Sequence, residues 1–285
     1  MTIAVLLTTF NRKEKTLACL QCIYQQQLPE DVLLDVFLTD DNSSDGTADA
    51  VKKQFPQVNI YHGNGSLFWA GGMRKTWQYA VNTQPNFYLL LNDDTLLVDT
   101  AISTLLKCSI DTRRKNDKAA ICVGSTADNE TGKISYGGKN LVDKNSWGKE
   151  VFVFSETDYV DCDFANANIL FVPAKIVGNI GILSTAFTHG LADYDYTLKA
   201  KKAGYGLVVA PGFLGTCIDD HGNNWKSANT TLKERLAYLK SPKGLAYHEF
   251  LGFIKEHFPK SYPAVFTKLW LKTLFPVIWD KFKHK

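Results

Sequence analysis

The chain predicts an α/β fold built on a largely parallel sheet, and three observations carry that expectation. Up to Asp99, apolar runs rich in β-branched residues alternate with stretches of helical periodicity. Three of those runs stop on polar clusters, Thr8-Thr9, Asp40-Asp41 and Asp93-Asp94. Beyond Trp225 the pattern becomes helical and strongly basic.

Residues 2–8 (TIAVLLT) read as a buried strand bounded by Thr9, Phe10 and Asn11. A helix follows over Lys13 to Gln26, with Leu17, Cys19, Leu20 and Ile23 at helical spacing and Pro29 marking its end. Residues 33–38 (LLDVFL) form the second strand, and Ser44 or Asp45 is the expected N-cap of a helix through Ala48, Val51 and Phe55. A short strand from Val58 to Tyr61 leads into a glycine-rich loop, Gly63 to Gly72, and a helix from about Arg74 to Val81. Then "FYLLLNDDTLLVD", residues 87–99, drives an apolar strand straight into two carboxylates, with a helix expected from near Leu97. Residues 119–124 and 151–154 read as strands, 162–172 as strand or loop, Asp195 to Ala203 as a helix stopped by Gly204, and 206–210 as a last strand. The helical pattern beyond Trp225 is broken by Pro242, Pro259, Pro263 and Pro276. The expected division is an α/β domain over 1–224 and a basic, aromatic-rich helical extension over 225–285.

With 285 residues and 45% hydrophobic content, the chain can bury a sizeable core and is not a disordered tail. The six cysteines (19, 22, 108, 122, 162 and 217) show no disulfide framework and no second C-x-x-C, which fits buried thiols in a reducing compartment. "MTIAVLLTTF" has no basic leader or small-residue cleavage site, and no apolar run approaches the roughly 18 residues of a membrane span. The expected location is the cytoplasm, with contact to the inner face of the membrane as a variant. From Trp225 onward there are twelve Lys and Arg against four Asp and Glu, a balance of +8, while the rest of the chain stands at −5.

In a parallel sheet the ligand crevice lies at the carboxyl ends of the strands, so the three polar clusters should meet at one rim. Taken alone, each Asp-Asp pair serves well enough as a turn or helix cap. Two such pairs on one edge repel unless a cation joins them, and Mg²⁺ or Mn²⁺ with oxygen ligands suits that need. "HGLADYD", residues 189–195, offers Asp193 and Asp195 to a helix N-terminus, or a carboxylate as general base. His221, beside Asp219 and Asp220, is either a solvated loop residue or a metal or phosphate ligand. "GNGSLFWAGGMRK", residues 63–75, is neither a dinucleotide fingerprint nor a Walker loop, and Trp69 within it reads as a core aromatic. No nucleic-acid partner is expected.

"LLTTFNR", "LTDDNSSDGT", "LLLNDDT" and "ADYDYTLKAKKAGYG" stand in the order and rough spacing of the inverting glycosyltransferases of family 2, so residues 2–222 resemble that family and its GT-A fold. The Gly-Asn-Gly to Trp-Ala-Gly-Gly loop and the Asn-Asp-Asp form look most like its rhamnosyltransferase-like branch. The resemblance implies a donor site of Thr8, Asp41 and Arg74, Asp94 as the main metal ligand and Asp193 as catalytic base; by their own place in the chain Asp93 is expected with the donor site and His221 as a helper to the metal at Asp94. It also implies a Mg²⁺ or Mn²⁺ cofactor and a dTDP- or UDP-sugar donor, rhamnose among the sugars. The acceptor would be a glycan or lipid-linked saccharide in cell-surface polysaccharide synthesis. The sequence departs from the family at Asn92, where the first Asp of the D-x-D motif is usual, at Ala192 in place of Glu, and at Lys199 in place of Arg.

Two rivals follow from the same residues. A nucleotidylyltransferase would need a glycine-rich basic loop after the first strand, where Thr8-Thr9-Phe10-Asn11-Arg12 stands. A catalytically silent GT-A domain would bind nucleotide-sugar or glycan without turnover. Between Ser261 and Lys285, apolar Val265, Phe266, Leu269, Trp270, Leu274, Val277 and Ile278 recur at helical spacing with Lys268 and Lys272 opposite. That helix either packs on the domain or lies on an anionic membrane surface.

Overall fold

The computed structural model describes residues 1–218 and 230–277. In chain order the first half comprises β1 (Thr2–Thr9), α1 (Lys13–Tyr24), β2 (Leu33–Asp40), α2 (Thr47–Gln54), β3 (Asn59–His62), α3 (Phe68–Val81), β4 (Phe87–Leu91), β5 (Leu96–Leu97) and α4 (Ala101–Asn116). There follow β6 (Ala120–Ala127), β7 (Ile134–Tyr136), β8 (Gly138–Leu141), β9 (Glu150–Phe152), β10 (Val160–Asp161), β11 (Phe164–Ala165), β12 (Ile169–Pro173), α5 (Ala174–Ile180), α6 (Ala192–Lys202) and β13 (Gly206–Thr216). The extension supplies α7 (Leu232–Lys240), α8 (Tyr247–His257) and α9 (Tyr262–Leu274). The expected boundary at 224/225 and His221 lie outside the described residues, as do Ile278, Lys281, Lys283 and Lys285.

The main sheet runs β10-β13-β6-β12-β4-β1-β2-β3, with β5 on β13 and β7 on β6. The pairs β1–β2, β2–β3, β1–β4 and β6–β13 are parallel. Strand β12 is inserted antiparallel between β4 and β6, with Ile169 opposite Leu91 and Pro173 opposite Phe87. A small antiparallel sheet, β11-β8-β9, stands apart.

Alternation along β1 explains its continuous burial. Ala4 and Leu6 join Met73, Trp77 and Tyr196 on one face, while Ile3, Val5 and Leu7 join Cys19, Leu20 and Leu105 on the other. A strand covered on both faces reads as an unbroken apolar run, and its polar residues are confined to its end. The extension shares this core: Phe253, Ile254 and Phe258 belong to the cluster of Phe164, Phe187 and Tyr196.

Several local expectations shift. Helix α3 begins at Phe68 rather than near Arg74, so Gly71 and Gly72 are helical and the loop shrinks to 63–67. The glycines serve a close approach: a Cβ on Gly72 would lie 2.0 Å from Thr8 Oγ1 and 2.9 Å from Thr8 Cβ. Gly72→Ala should therefore lower stability by about 1–3 kcal/mol, read as a drop in Tm, and an unchanged melt would show that α3 can retreat from β1 at no cost. Near Leu97 the chain pairs with β13 before the helix starts at Ala101, because Leu96 and Leu97 complete the sheet edge. The first turn of α6 reaches back to Ala192, and β13 extends to Thr216. Pro263 starts α9 instead of breaking it, since a proline in the first turn loses no helical hydrogen bond. Position 46, not Ser44 or Asp45, is the N-cap of α2, but Asp45 works beside it: its carboxylate accepts from Thr47 N at 3.1 Å and from Lys13 N at 3.0 Å, tying the starts of α1 and α2 together.

Helix α9 buries Leu269 and Thr273 and leaves Phe266, Leu271 and Leu274 exposed, with Phe275 and Val277 exposed just beyond. No helix among the described residues is long and apolar enough to cross a membrane.

Candidate active site

Because β4, β1 and β2 are adjacent and parallel, their carboxyl ends converge. Thr8 sits opposite Thr39 and Thr9 opposite Asp40, while β4 delivers Asn92, Asp93 and Asp94 alongside. Of the candidates, Thr8, Asp41, Asp93 and Asp94 thus share one rim.

The Asp41 carboxylate is buried and fully engaged by backbone: Oδ1 accepts from Gly65 N and Oδ2 from Leu67 N, both at 2.8 Å. It builds the turn between β3 and α3. Position 63 has to be glycine, since a Cβ there would fall 2.2 Å from Asp41 Oδ1. A cavity of about 600 Å³ adjoins this turn, lined in part by Leu67, Gly71, Arg74 and Tyr79.

Asp93 and Asp94 divide their tasks. Asp93 is buried, and burial pushes its pKa up to about 6 against the opposing pull of Arg12. Its Oδ2 accepts from Thr16 Oγ1 at 3.4 Å. Asp94 faces cations: Arg12 Nη1 donates to its Oδ2 at 2.7 Å and to Asp93 Oδ1 at 3.3 Å, and Lys15 Nζ lies 3.6 Å from Asp94. On the other side Cys217 Sγ stands 3.6 Å from Asp94 Oδ1, its pKa pushed up to about 12 chiefly by burial, so it remains a thiol.

Asp94 is the rim carboxylate that would hold a hard divalent ion, and the ion would replace Arg12, now 2.7 Å away, and Lys15, 3.6 Å away, as its positive partners. Among the described residues the group with metal-ligand geometry is Asp195, Glu256 and His257. There the Lys199 ammonium already stands 2.9 Å from Asp195 and 3.4 Å from Glu256, so the group is an ion-pair network.

Asp193 lies in the first turn of α6, where Oδ1 accepts from Tyr194 N at 2.9 Å and Oδ2 from Ala167 N at 3.1 Å. Burial raises its pKa above the ordinary carboxylate range, the direction a general base needs. A short bridge ties it to the rim. Next to Ala167, Asn168 accepts from Asn92 N through its carbonyl at 3.2 Å and reaches Cys217 Sγ with its side chain at 3.5 Å.

Arg74 points elsewhere in its hydrogen bonds: Nη1 donates to the carbonyls of Ser184 and Phe187, both at 2.7 Å, in the loop before α6. Trp69 is more than a core aromatic, since Nε1 donates to Asn92 Oδ1 at 2.8 Å and its backbone N to His189 Nδ1 at 3.3 Å. Sequence reasoning gave no site role to Arg12, Lys15 or Cys217. Arg12 and Lys15 were visible as "NRK" and the lysine after it, directly past the first strand.

A parallel-sheet α/β domain whose strand ends bring Thr8, Asp41, Asp93 and Asp94 to one rim, with a cavity beside the β3–α3 turn and the Asp193 carboxylate in the first turn of α6, has the architecture of the GT-A class of fold. The model of the family described as "Glycosyl transferase family 2" matches residues 4–155, and the chain belongs to that family. Its fold is shared with the S. aureus TarS fragment 1–349 solved with UDP, at 13% identity and a TM-score of 0.55, over 91% of this chain and 72% of that one. The same fragment solved with UDP-GlcNAc gives 14% identity and 0.54, over 96% and 80%. The mannosyltransferase PcManGT of Pyrobaculum calidifontis, solved with GDP-Man and Mn²⁺, gives 14% identity and 0.54, over 92% and 72%. No curated protein matches the chain significantly.

Proposed function

We propose that the protein transfers a sugar from a nucleoside diphosphate donor to a hydroxyl acceptor with inversion at the anomeric carbon. The observation that carries this is the link between a half-buried carboxylate, Asp193, and the Asn92–Asp94 rim through Ala167 and Asn168. Asp193 takes the proton of the acceptor hydroxyl as its oxygen bonds to the anomeric carbon. The bond from that carbon to the diphosphate breaks on the opposite face, and the nucleoside diphosphate leaves with the electron pair. Arg12 and Lys15, already at the rim, supply positive charge beside the departing diphosphate. A Mg²⁺ or Mn²⁺ ion held by Asp94 would add Lewis-acid charge at the same place. Asp41 acts by shaping the turn on which the nucleotide base rests, and Thr8 and Asp93 complete the donor side of the rim.

Donor and acceptor follow the rhamnosyltransferase-like branch: a dTDP- or UDP-sugar, rhamnose among the sugars, and a glycan or lipid-linked saccharide. In support, the two features that mark the branch are bonded to each other, Trp69 Nε1 to Asn92 Oδ1. Incubation with dTDP-, UDP- and GDP-sugars and Mn²⁺ should release nucleoside diphosphate with one of them. Binding without release would favour the silent-domain reading.

A lipid-linked acceptor calls for a surface contact, and residues 261–285 supply it. Exposed Phe266, Leu271, Leu274, Phe275 and Val277 lie beside Lys268 and Lys272 in a segment of strongly positive charge. Sedimentation with anionic vesicles should be salt-sensitive and weaken when Lys268, Lys272, Lys281 and Lys283 become Gln, each basic residue contributing about 1 kcal/mol. A protein that stays in the supernatant at low salt would mark the exposed face as an oligomer contact instead.

A further inference from the structure

The loop that delivers Asp193, residues 184–191, is gripped from two sides. From the sheet body Arg74 holds the carbonyls of Ser184 and Phe187. From the extension, Glu249 in the first turn of α8 accepts from Thr188 N at 2.8 Å and from Thr188 Oγ1 at 2.5 Å, using both carboxylate oxygens. The two grips meet, since Glu249 acts electrostatically on Arg74. At the other end of α8, His257 Nε2 lies 2.8 Å from Asp195 Oδ1, and both side chains are about 1% exposed. The ring's Nδ1 is buried with no partner, so a proton on it would be stranded, which places the proton on Nε2 to donate to Asp195. Between the grips Leu191 is forced to φ +66°, a left-handed conformation that a leucine keeps only when its surroundings fix it.

We propose that Glu249 and His257 of α8 are positioning residues that hold Asp193 in its working place through Thr188 and Asp195. The base then belongs to two parts of the chain at once: its own helix sits on the sheet, and its setting is completed by the C-terminal extension. The inference rests on Asp193 being the base. Glu249 and His257 touch no reacting atom, and they act by fixing the loop on one side of Asp193 and the helical turn on the other. Misplacement of a reacting group by about 1 Å is worth up to about 10²-fold in rate, which sets the scale of the effect.

Two measurements on the full chain test this. Hydrogen exchange of residues 184–193 should quicken in Glu249→Ala and, more mildly, in Thr188→Val, while β1 to β4 keep wild-type protection. With the donor that the wild type turns over, kcat should fall about 10–10²-fold in Glu249→Ala and His257→Ala. Donor affinity measured calorimetrically with that same nucleotide-sugar should stay within about 3-fold. His257→Gln, whose amide can still donate to Asp195, should recover most of the rate. A folded Glu249→Ala protein with wild-type kcat overturns the proposal, and so does a loss of donor affinity in step with kcat. If Glu249→Ala does not fold, Thr188→Val carries the same two readings. A wild type silent with every donor would count against the transferase reading, whereas the exchange comparison reports on the clamp alone.

Discussion

Asp193→Asn should leave the fold and donor affinity intact and reduce acceptor turnover by roughly 10²–10⁴-fold, the usual worth of a positioned general base. Asparagine keeps the shape of the side chain, and its oxygen can still accept from Ala167 N or Tyr194 N, the two bonds that hold the carboxylate now. What it loses is the capacity to take a proton. The pH profile gives a second reading. Burial raises the Asp193 pKa, so the acid form persists to higher pH than for an exposed aspartate. A base must be ionised, so the wild-type rate should fall as pH drops through that raised value, and the fall should vanish from the residual activity of the variant. Loss of donor binding in Asp193→Asn would move the residue into the nucleotide site.

The second large effect is at Asp94. Asp94→Ala should cost at least about 10²–10³ in turnover, the scale of removing one preorganised electrostatic group, while the melting curve stays close to that of the wild type. The side chain stands at the rim and its loss leaves no core cavity. Mn²⁺ binding, followed by electron paramagnetic resonance in the presence of UDP, should be lost with it. Full activity, or Mn²⁺ affinity equal to that of the wild type, would sink the assignment. The removal also frees Lys15 and takes one of its carboxylate partners from Arg12, whose contact to Asp93 at 3.3 Å stays.

Much of this was legible where structure is local. The alternation through β1, α1, β2, α2, β3 and β4 could be read from periodicity, and the carboxyl-end rule brought Thr8, Asp41, Asp93 and Asp94 to one edge. The start of α3 was not legible, because Gly71 and Gly72 signal a loop locally while their small size serves contact with Thr8, far away in sequence. Strand β12 reads as an ordinary apolar run, and nothing in it announces an antiparallel insertion. The partners of the site residues were hidden for the same reason. Arg12 meets Asp94 across 82 positions, Glu249 meets Thr188 across 61, and no spacing rule spans such gaps. The place of single residues at the sheet edge could be inferred from type and position, but their neighbours are set by tertiary packing.

The insertion of β12 bears on how the chain is made. Strand β4 pairs with β1 on one edge, and its other edge is closed only by residues 169–173. About 80 residues separate the two, so at 5–20 residues per second a ribosome needs roughly 4–16 s to deliver the closing strand. Until then Leu89, Leu90 and Leu91 present a row of unpaired amides and carbonyls with no charge or proline to blunt it. The strand that ends in the acidic rim is therefore also the nascent chain's open edge until β12 arrives, since α1 and α3 cover the faces of the sheet and not its edge.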